Sequence, residues 1–397
     1  MQLFFFPDHA IAMKTATSLI HLGRRSAAAV HAVNPPLVRA STMLFENLAA
    51  FKESYRGKVF ETPRYGRSGT LTNFELQTAM AELSGAETCI ATGSGLSAIS
   101  AVLMAHAQPG QQILVYQGVY GPTRQICEQY LQAMGVQLRY FADHHELASQ
   151  LNADTSLVFV ETPASLSMEM PDVAAICRLA HAQGAVVACD ATWGTPLFFD
   201  AHGLGVDIAI HAATKFINGH SDVMLGLLTG SYANLAAVRR WCDLQGNHAA
   251  ADACWLTLRG LRTLAVRLEK HQASALRIAS WLQQQSQVEQ VLFPALPGDA
   301  GHTIWQSQFS GAAGPFSLVL QECSEAGFAR FIDGLQLFGL GTSWGGYESL
   351  VMPAIPHHLR SLDVLPDTGR MVRLHIGLED ADDLMADLQA ALQRLSA

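Results

Sequence analysis

Lys215 stands in an unusual setting. It follows the apolar run 206–210, "VDIAI", and sits between Ala213-Thr214 and Phe216-Ile217. Lysine is among the residues least often buried. One reading is a snorkelling side chain, with its stem packed and its ammonium in water. The other is an amine in a partly dry pocket, where its pKa falls from about 10.4 and a neutral nitrogen becomes available. Such an amine forms a Schiff base or removes a proton.

Other residues favour the second reading. Asp190 ends one predicted strand and Lys215 follows the next. A carboxylate facing a pyridinium nitrogen and a lysine facing an aldehyde are the two groups that pyridoxal phosphate (PLP) needs. Gly93-Ser94-Gly95-Leu96 lies between a predicted strand and a helix, where backbone N–H groups suit a phosphate. Thr214, beside the lysine, can add a hydroxyl. Tyr120 follows a strand and offers a ring to stack on a flat cofactor, or simply to fill the core. Glu161 stands at another strand end. Arg373, in "MVRLHIG", is flanked by apolar residues and needs an anionic partner. A substrate carboxylate and an internal Asp or Glu both qualify.

Three rival motifs are weaker. "GSGLSA" matches the dinucleotide fingerprint, but no Asp or Glu occurs between Glu87 and Glu128 to bind a ribose. "GTSWG" at 341–345 matches the nucleophile-elbow pattern, with Asp363, Asp367 and His375 following, yet Gly346-Tyr347 opens a helix poorly. His211 and His220, with Asp222 nearby, have no zinc spacing, so no metal site is expected.

The elements that must carry these residues read clearly. From residue 72, apolar β-branched runs alternate with helical stretches: "TCIAT", "QQILVYQ", "QLRYF", "TSLVFVET", "AVVACD" and "VDIAIH" as strands. That alternation predicts an α/β protein with a mainly parallel central sheet and helices on both faces. Ligands bind beyond the carboxyl ends of such strands, where Gly95, Tyr120, Glu161, Asp190 and Lys215 all fall. After about 235 a long helical stretch, broken at Gly260, leads to "PFSLVLQE" and "MVRLHIGLE", which predict a smaller C-terminal α+β domain. The expected division is an N-terminal extension and arm over 1–65, a large domain over 66–257 and the α+β domain over 258–397. Met13-Lys14 offers a second start, leaving 1–12 as an extension.

Composition narrows the classes. The chain has 397 residues, 49% of them hydrophobic and 15% charged, with net charge −9. Without a basic block, neither nucleic acid nor an anionic membrane is an expected partner. No apolar run reaches the roughly 18 residues needed to span a bilayer, and the start lacks a basic region before its apolar triplet. Seven scattered cysteines, with no C-x-x-C, predict reduced thiols and a cytoplasmic location.

Taken together, "HAATKFINGHSDVMLG", "YGRSGTLTNFELQ", "ETPASLSMEMPDV", "SWGGYESL" and "VRLHIGLED" resemble the trans-sulfuration group of Cys/Met-metabolism PLP enzymes, from about residue 15 to the end. The resemblance implies the type I, aspartate aminotransferase-like PLP fold and a homotetramer built as a dimer of dimers. It implies cleavage of a carbon–sulfur bond in an amino-acid thioether, β-elimination from L-cystathionine first, with γ-elimination, γ-replacement or cysteine desulfhydration as alternatives. By motif, Lys215 would hold the cofactor aldehyde and Asp190 the ring nitrogen, with Thr192 beside it and Tyr120 against the ring. Gly95, Leu96 and Thr214 would hold the phosphate, and Tyr65 and Arg67 would reach the phosphate of a neighbouring subunit's cofactor. Arg373 would bind the substrate carboxylate, with Ser343 and Trp344 lining the site. Three positions depart from the family pattern: Ala212 where a serine is common, Ser68 where a second arginine can follow "YGR", and Thr342 where a tyrosine can precede "SWGG".

Overall fold

The computed structural model describes residues 14–56, 60, 62–354 and 370–395. The proposed extension 1–12, Asp363 and Asp367 lie outside the described residues.

Seven strands, β1 (Thr88–Thr92), β2 (Gln112–Tyr116), β3 (Gln137–Phe141), β4 (Thr155–Glu161), β5 (Val186–Asp190), β6 (Ile208–Ala212) and β7 (Gly226–Gly230), form one sheet in the order β1-β7-β6-β5-β4-β2-β3. The pairs from β6 through β3 are parallel, and β7 runs antiparallel to both β1 and β6. Apolar runs such as "QILVY" are buried along their whole length because helices cover both faces. β3 instead alternates in exposure, as an edge strand does. This is the predicted α/β architecture.

β7 was not legible in "GLLTG". It belongs in the sheet because Gly226 lets the chain pass close to the β1 turn. A Cβ on Gly226 would lie 2.2 Å from the Ser94 carbonyl oxygen.

Five more strands, β8 (Val288–Leu292), β9 (Pro315–Leu320), β10 (Gly339–Leu340), β11 (Leu350–Pro353) and β12 (Met371–His375), form a second sheet in the order β10-β11-β12-β9-β8. It is antiparallel apart from the β10–β11 pair. β9 and β12 match the predicted strands.

The helical connection differs from expectation. Gly260 does not break it; the helices are Ala251–Leu261 and Leu264–Leu282, divided at Arg262-Thr263. Gly260 stays inside its helix because the Asn218 carbonyl oxygen would sit 2.2 Å from a Cβ there. Residues 14–56 carry two short helices, Thr15–His21 and Leu48–Ser54, and leave Val33, Leu44, Leu48 and Tyr55 exposed. No helix among the described residues is long and apolar enough to cross a membrane.

Candidate active site

The carboxyl ends of β4, β5 and β6 converge. Asp190, the last residue of β5, is buried. Its Oδ1 accepts the Thr192 N–H at 3.0 Å and the Thr192 hydroxyl at 2.5 Å. Thr192 Oγ1 in turn accepts the Ala212 N–H at 2.9 Å, tying the end of β6 to the carboxyl group. Thr192 therefore anchors Asp190, its hydroxyl already engaged on both sides. Burial raises the Asp190 pKa, against the Thr192 bonds and the positive charge of Lys215. Glu161 is its register partner on β4 and accepts the Tyr120 N–H at 2.6 Å. Burial, then the Asp190 charge, push the Glu161 carboxyl well above the usual range.

Lys215 lies in the turn after β6. Its Nζ donates to Ser343 Oγ at 2.6 Å and stands 5.3 Å from the centre of the Trp344 ring. Burial, then the Arg373 charge, lower its pKa from 10.5 to about 8, with Asp190 acting the other way. Lys215 is half-buried, so its amine is partly dry. Ser343 has φ +121°, a conformation that costs energy in a residue with a Cβ and that functional sites retain. The strain lets one residue face two ways. Its hydroxyl meets Lys215, and its carbonyl accepts Arg373 Nη2 at 2.7 Å.

Arg373, on β12, is only 9% exposed. No carboxylate bonds it among the described residues, and its Nε has no partner. Burial lowers its pKa to about 10. A buried guanidinium lacking an acid is prepared for an anion that arrives from outside.

The Ser94 side chain caps the helix Gly95–Ala105 by accepting the Ser97 N–H at 3.1 Å. Helix geometry leaves the Gly95 and Leu96 N–H groups without an intrahelical acceptor. Gly95 must be glycine: a Cβ would lie 2.5 Å from the Ala212 Cβ. Ala212, the departure from the family pattern, thus packs against Gly95. Thr214 Oγ1 accepts the Leu225 N–H at 3.0 Å. Tyr120 is half exposed and faces Glu161, Arg373 and Asp190 electrostatically.

Tyr65 and Arg67 are not brought to this cluster. Arg67 Nη1 donates to the Asp243 carbonyl at 2.7 Å, and both side chains are exposed. Nor does the elbow pattern hold: no helix begins in the described residues 344–354, and His375 Nε2 accepts the Gly345 N–H at 3.0 Å. His211 is buried in β6, and His220 Nδ1 pairs with the Asn218 carbonyl.

Sequence reasoning missed Arg267. Only 6% exposed, it donates to the carbonyls of Phe216 at 2.6 Å and Gly260 at 2.8 Å, and through Nε to Thr263 Oγ1 at 3.0 Å. It fixes the turn immediately after Lys215. The signal was present: Arg267 and His271 share the buried stripe of their helix with Leu264, Leu268 and Ala275.

These residues fit PLP. Lys215 offers an amine of lowered pKa. Asp190 is a buried carboxyl whose described bonds fall on Oδ1 alone. Gly95 and Leu96 offer N–H groups at a helix N-terminus, which suit a phosphate.

Comparison with known proteins agrees. The model of a family described as Cys/Met metabolism PLP-dependent enzyme matches residues 16–393. The chain is 37% identical to cystathionine beta-lyase MetC of Escherichia coli K12, over 96% of this chain and 99% of that protein. It is 38% identical to cystathionine beta-lyase of Salmonella typhimurium, over 96% and 98%. A crystal structure of cystathionine gamma synthase from Xanthomonas oryzae pv. oryzae, with aminoacrylate and cysteine, superposes with TM-score 0.90 at 32% identity, covering 97% of this chain and 99% of that one.

Proposed function

Because the chain belongs to the Cys/Met metabolism family of PLP-dependent enzymes, we propose that it is a carbon–sulfur lyase working by β-elimination. Its substrates are L-cystathionine and water, and the products are homocysteine, pyruvate and ammonia, the water supplying pyruvate's keto oxygen as ammonia leaves. Lys215 would hold the cofactor aldehyde, Asp190 its ring nitrogen, Gly95 and Leu96 its phosphate, and Tyr120 its ring face. When bound, PLP supplies a sink for the electrons left at the substrate Cα. Arg373 binds the substrate carboxylate through a charge-assisted pair. Once the substrate amine has displaced it from the aldehyde, the freed Lys215 amine would remove the Cα proton, its pKa of about 8 suiting a general base near neutral pH. The same amine then returns the proton to the departing sulfur. Trp344 packs against Phe216 at 5.5 Å and presents its ring 5.3 Å from the amine.

The observation that carries this reading is the Lys215–Ser343–Arg373 chain. One strained serine sets the base and the carboxylate anchor relative to each other. The test is to supply cystathionine, cystine and methionine separately to purified protein and identify the keto acid. Pyruvate supports β-elimination. The likeness to a γ-synthase favours a second reading, γ-elimination or replacement, which yields 2-oxobutyrate or a new thioether. Colourless protein that takes up no PLP overturns both.

The same reading includes a cytoplasmic homotetramer, a dimer of dimers, with Tyr65 and Arg67 reaching a neighbouring subunit's cofactor. The exposed apolar residues of the arm support it, Leu44 being 93% exposed. The division into an arm over 1–65, a cofactor domain over 66–257 and an α+β domain over 258–397 belongs to this reading, supported by the separate sheets.

A further inference from the structure

Two imidazoles lie side by side beneath the Ser343–Gly346 loop, and the mechanism above uses neither. His271 projects from the helix Leu264–Leu282, His375 ends β12, and both are buried. Their ring centres are 5.3 Å apart. Phe216 packs against each ring, at 5.1 Å and 5.8 Å.

The remaining bonds of each ring fix its proton. His271 Nδ1 lies 2.8 Å from the Ile376 carbonyl oxygen, so Nδ1 carries hydrogen and Nε2 a lone pair. His375 Nε2 accepts the Gly345 N–H at 3.0 Å, so its hydrogen is on Nδ1. The alternative, Nε2 donating to the Gly346 carbonyl at 3.2 Å, would set two N–H groups against each other. His271 Nε2 and His375 Nδ1 are both buried without partners. One ring is thus left with an acceptor, and its neighbour with a donor. Both imidazoles are neutral: burial pushes His271 down to about 4 and His375 well below its ordinary value, with Arg267, Arg373 and Lys215 adding repulsion.

We propose that one buried water bridges His375 Nδ1–H and His271 Nε2, and that this bridged pair positions the loop that carries Ser343. The loop has little freedom otherwise. Gly345, at φ +86°, is pressed against the backbone of Lys215, where a Cβ would lie 3.0 Å from the Lys215 Cα. His375 holds the Gly345 N–H, and two residues earlier Ser343 holds both Lys215 and Arg373. The pair thereby joins the helix Leu264–Leu282 to the carboxylate anchor. Both are positioning residues, and their kinetic role rests on the lyase reading.

A double-mutant cycle on the holoenzyme tests the coupling. His271→Asn keeps a donor for the Ile376 carbonyl and deletes the acceptor. His375→Gln keeps an acceptor for the Gly345 N–H and deletes the donor. Each single variant is expected to raise KM for cystathionine about 5- to 20-fold, the worth of one buried hydrogen bond, with kcat within ~3-fold. The double variant is expected to cost no more than either single one. Multiplying effects overturn the pairing. Neutron diffraction from deuterated wild-type holoenzyme tests it without turnover or mutation. Deuterons on Nδ1 of both rings support the proposal, and one on Nε2 of either ring overturns it. That second test stands even if the wild type releases no pyruvate.

Discussion

Replacing Arg373 by Met should make the folded protein more stable and a poorer binder of its substrate. Arg373 is 9% exposed, its Nε has no partner, and Nη2 makes one bond of 2.7 Å to a carbonyl. Burial lowers its pKa from 12.5 to about 10. At ~1.4 kcal/mol for each tenfold in acidity, holding this cation in the fold costs about 3 kcal/mol. The bond to Ser343 offsets about 1 kcal/mol of that, and Met fills similar volume without charge. The net gain from Arg373→Met is therefore about 2 kcal/mol. Because the folded-state pKa is depressed, the penalty is fully present below pH 10 and fades as pH rises towards 12.5. At neutral pH the variant gains all of it, a rise of a few degrees in thermal midpoint. The substrate loses a charge-assisted pair of about 1.5–3 kcal/mol, so KM should rise ~10- to 150-fold. Differential scanning fluorimetry of substrate-free holoenzyme and steady-state kinetics measure the two halves. A lowered midpoint with unchanged KM would refute the view that this cation is kept for an external anion.

Further outcomes follow from the same geometry. In apoprotein, amine-directed labelling of Lys215 should climb as pH rises through about 8; a midpoint near 10.5 would mean an ordinary exposed lysine. Lys215→Ala should remove turnover and the visible absorbance of the holoenzyme. Gly95→Ala puts a Cβ 2.5 Å from that of Ala212, so equilibrium dialysis should show PLP affinity down by about tenfold or more. Thr192→Val removes a hydroxyl donor from Asp190 and strands the Ala212 N–H. It should cut kcat roughly tenfold with PLP retained, and full activity would show that the anchor is dispensable. Arg267→Met removes four hydrogen bonds of about 1 kcal/mol each and relieves about 3 kcal/mol of burial cost, so it should lower stability by only about 1 kcal/mol, read from chemical denaturation.

Much of this site could be read from residue types alone. Lys215, Asp190 and Arg373 declare themselves because charge in apolar sequence needs a reason, and strand ends collect ligands in a parallel sheet. What stayed hidden depends on backbone conformation and on neighbours distant in sequence. Nothing in "GTSWG" announces that Ser343 takes a positive φ and faces two ways. Thr192 reads as one more polar residue near a cofactor until its hydroxyl is seen bound to both Asp190 and Ala212. Arg267 and His271 carry the right periodicity, but a buried stripe containing them looks like a flaw in the apolar pattern. β7 is short and bounded by glycines. Its pairing with β1 and β6 on either side makes it a strand.

Ser343 has a consequence for recombination between relatives. Its hydroxyl serves a lysine reached from the larger sheet, and its carbonyl serves an arginine on the smaller one. A chimera spliced after Leu282 would take both Ser343 and Arg373 from one parent while inheriting Lys215 and Arg267 from the other. Such hybrids could fold with each half intact and still be out of alignment by the fraction of an ångström that proton transfer does not forgive. The two halves of the gene are free to drift apart only as far as one seryl residue can span.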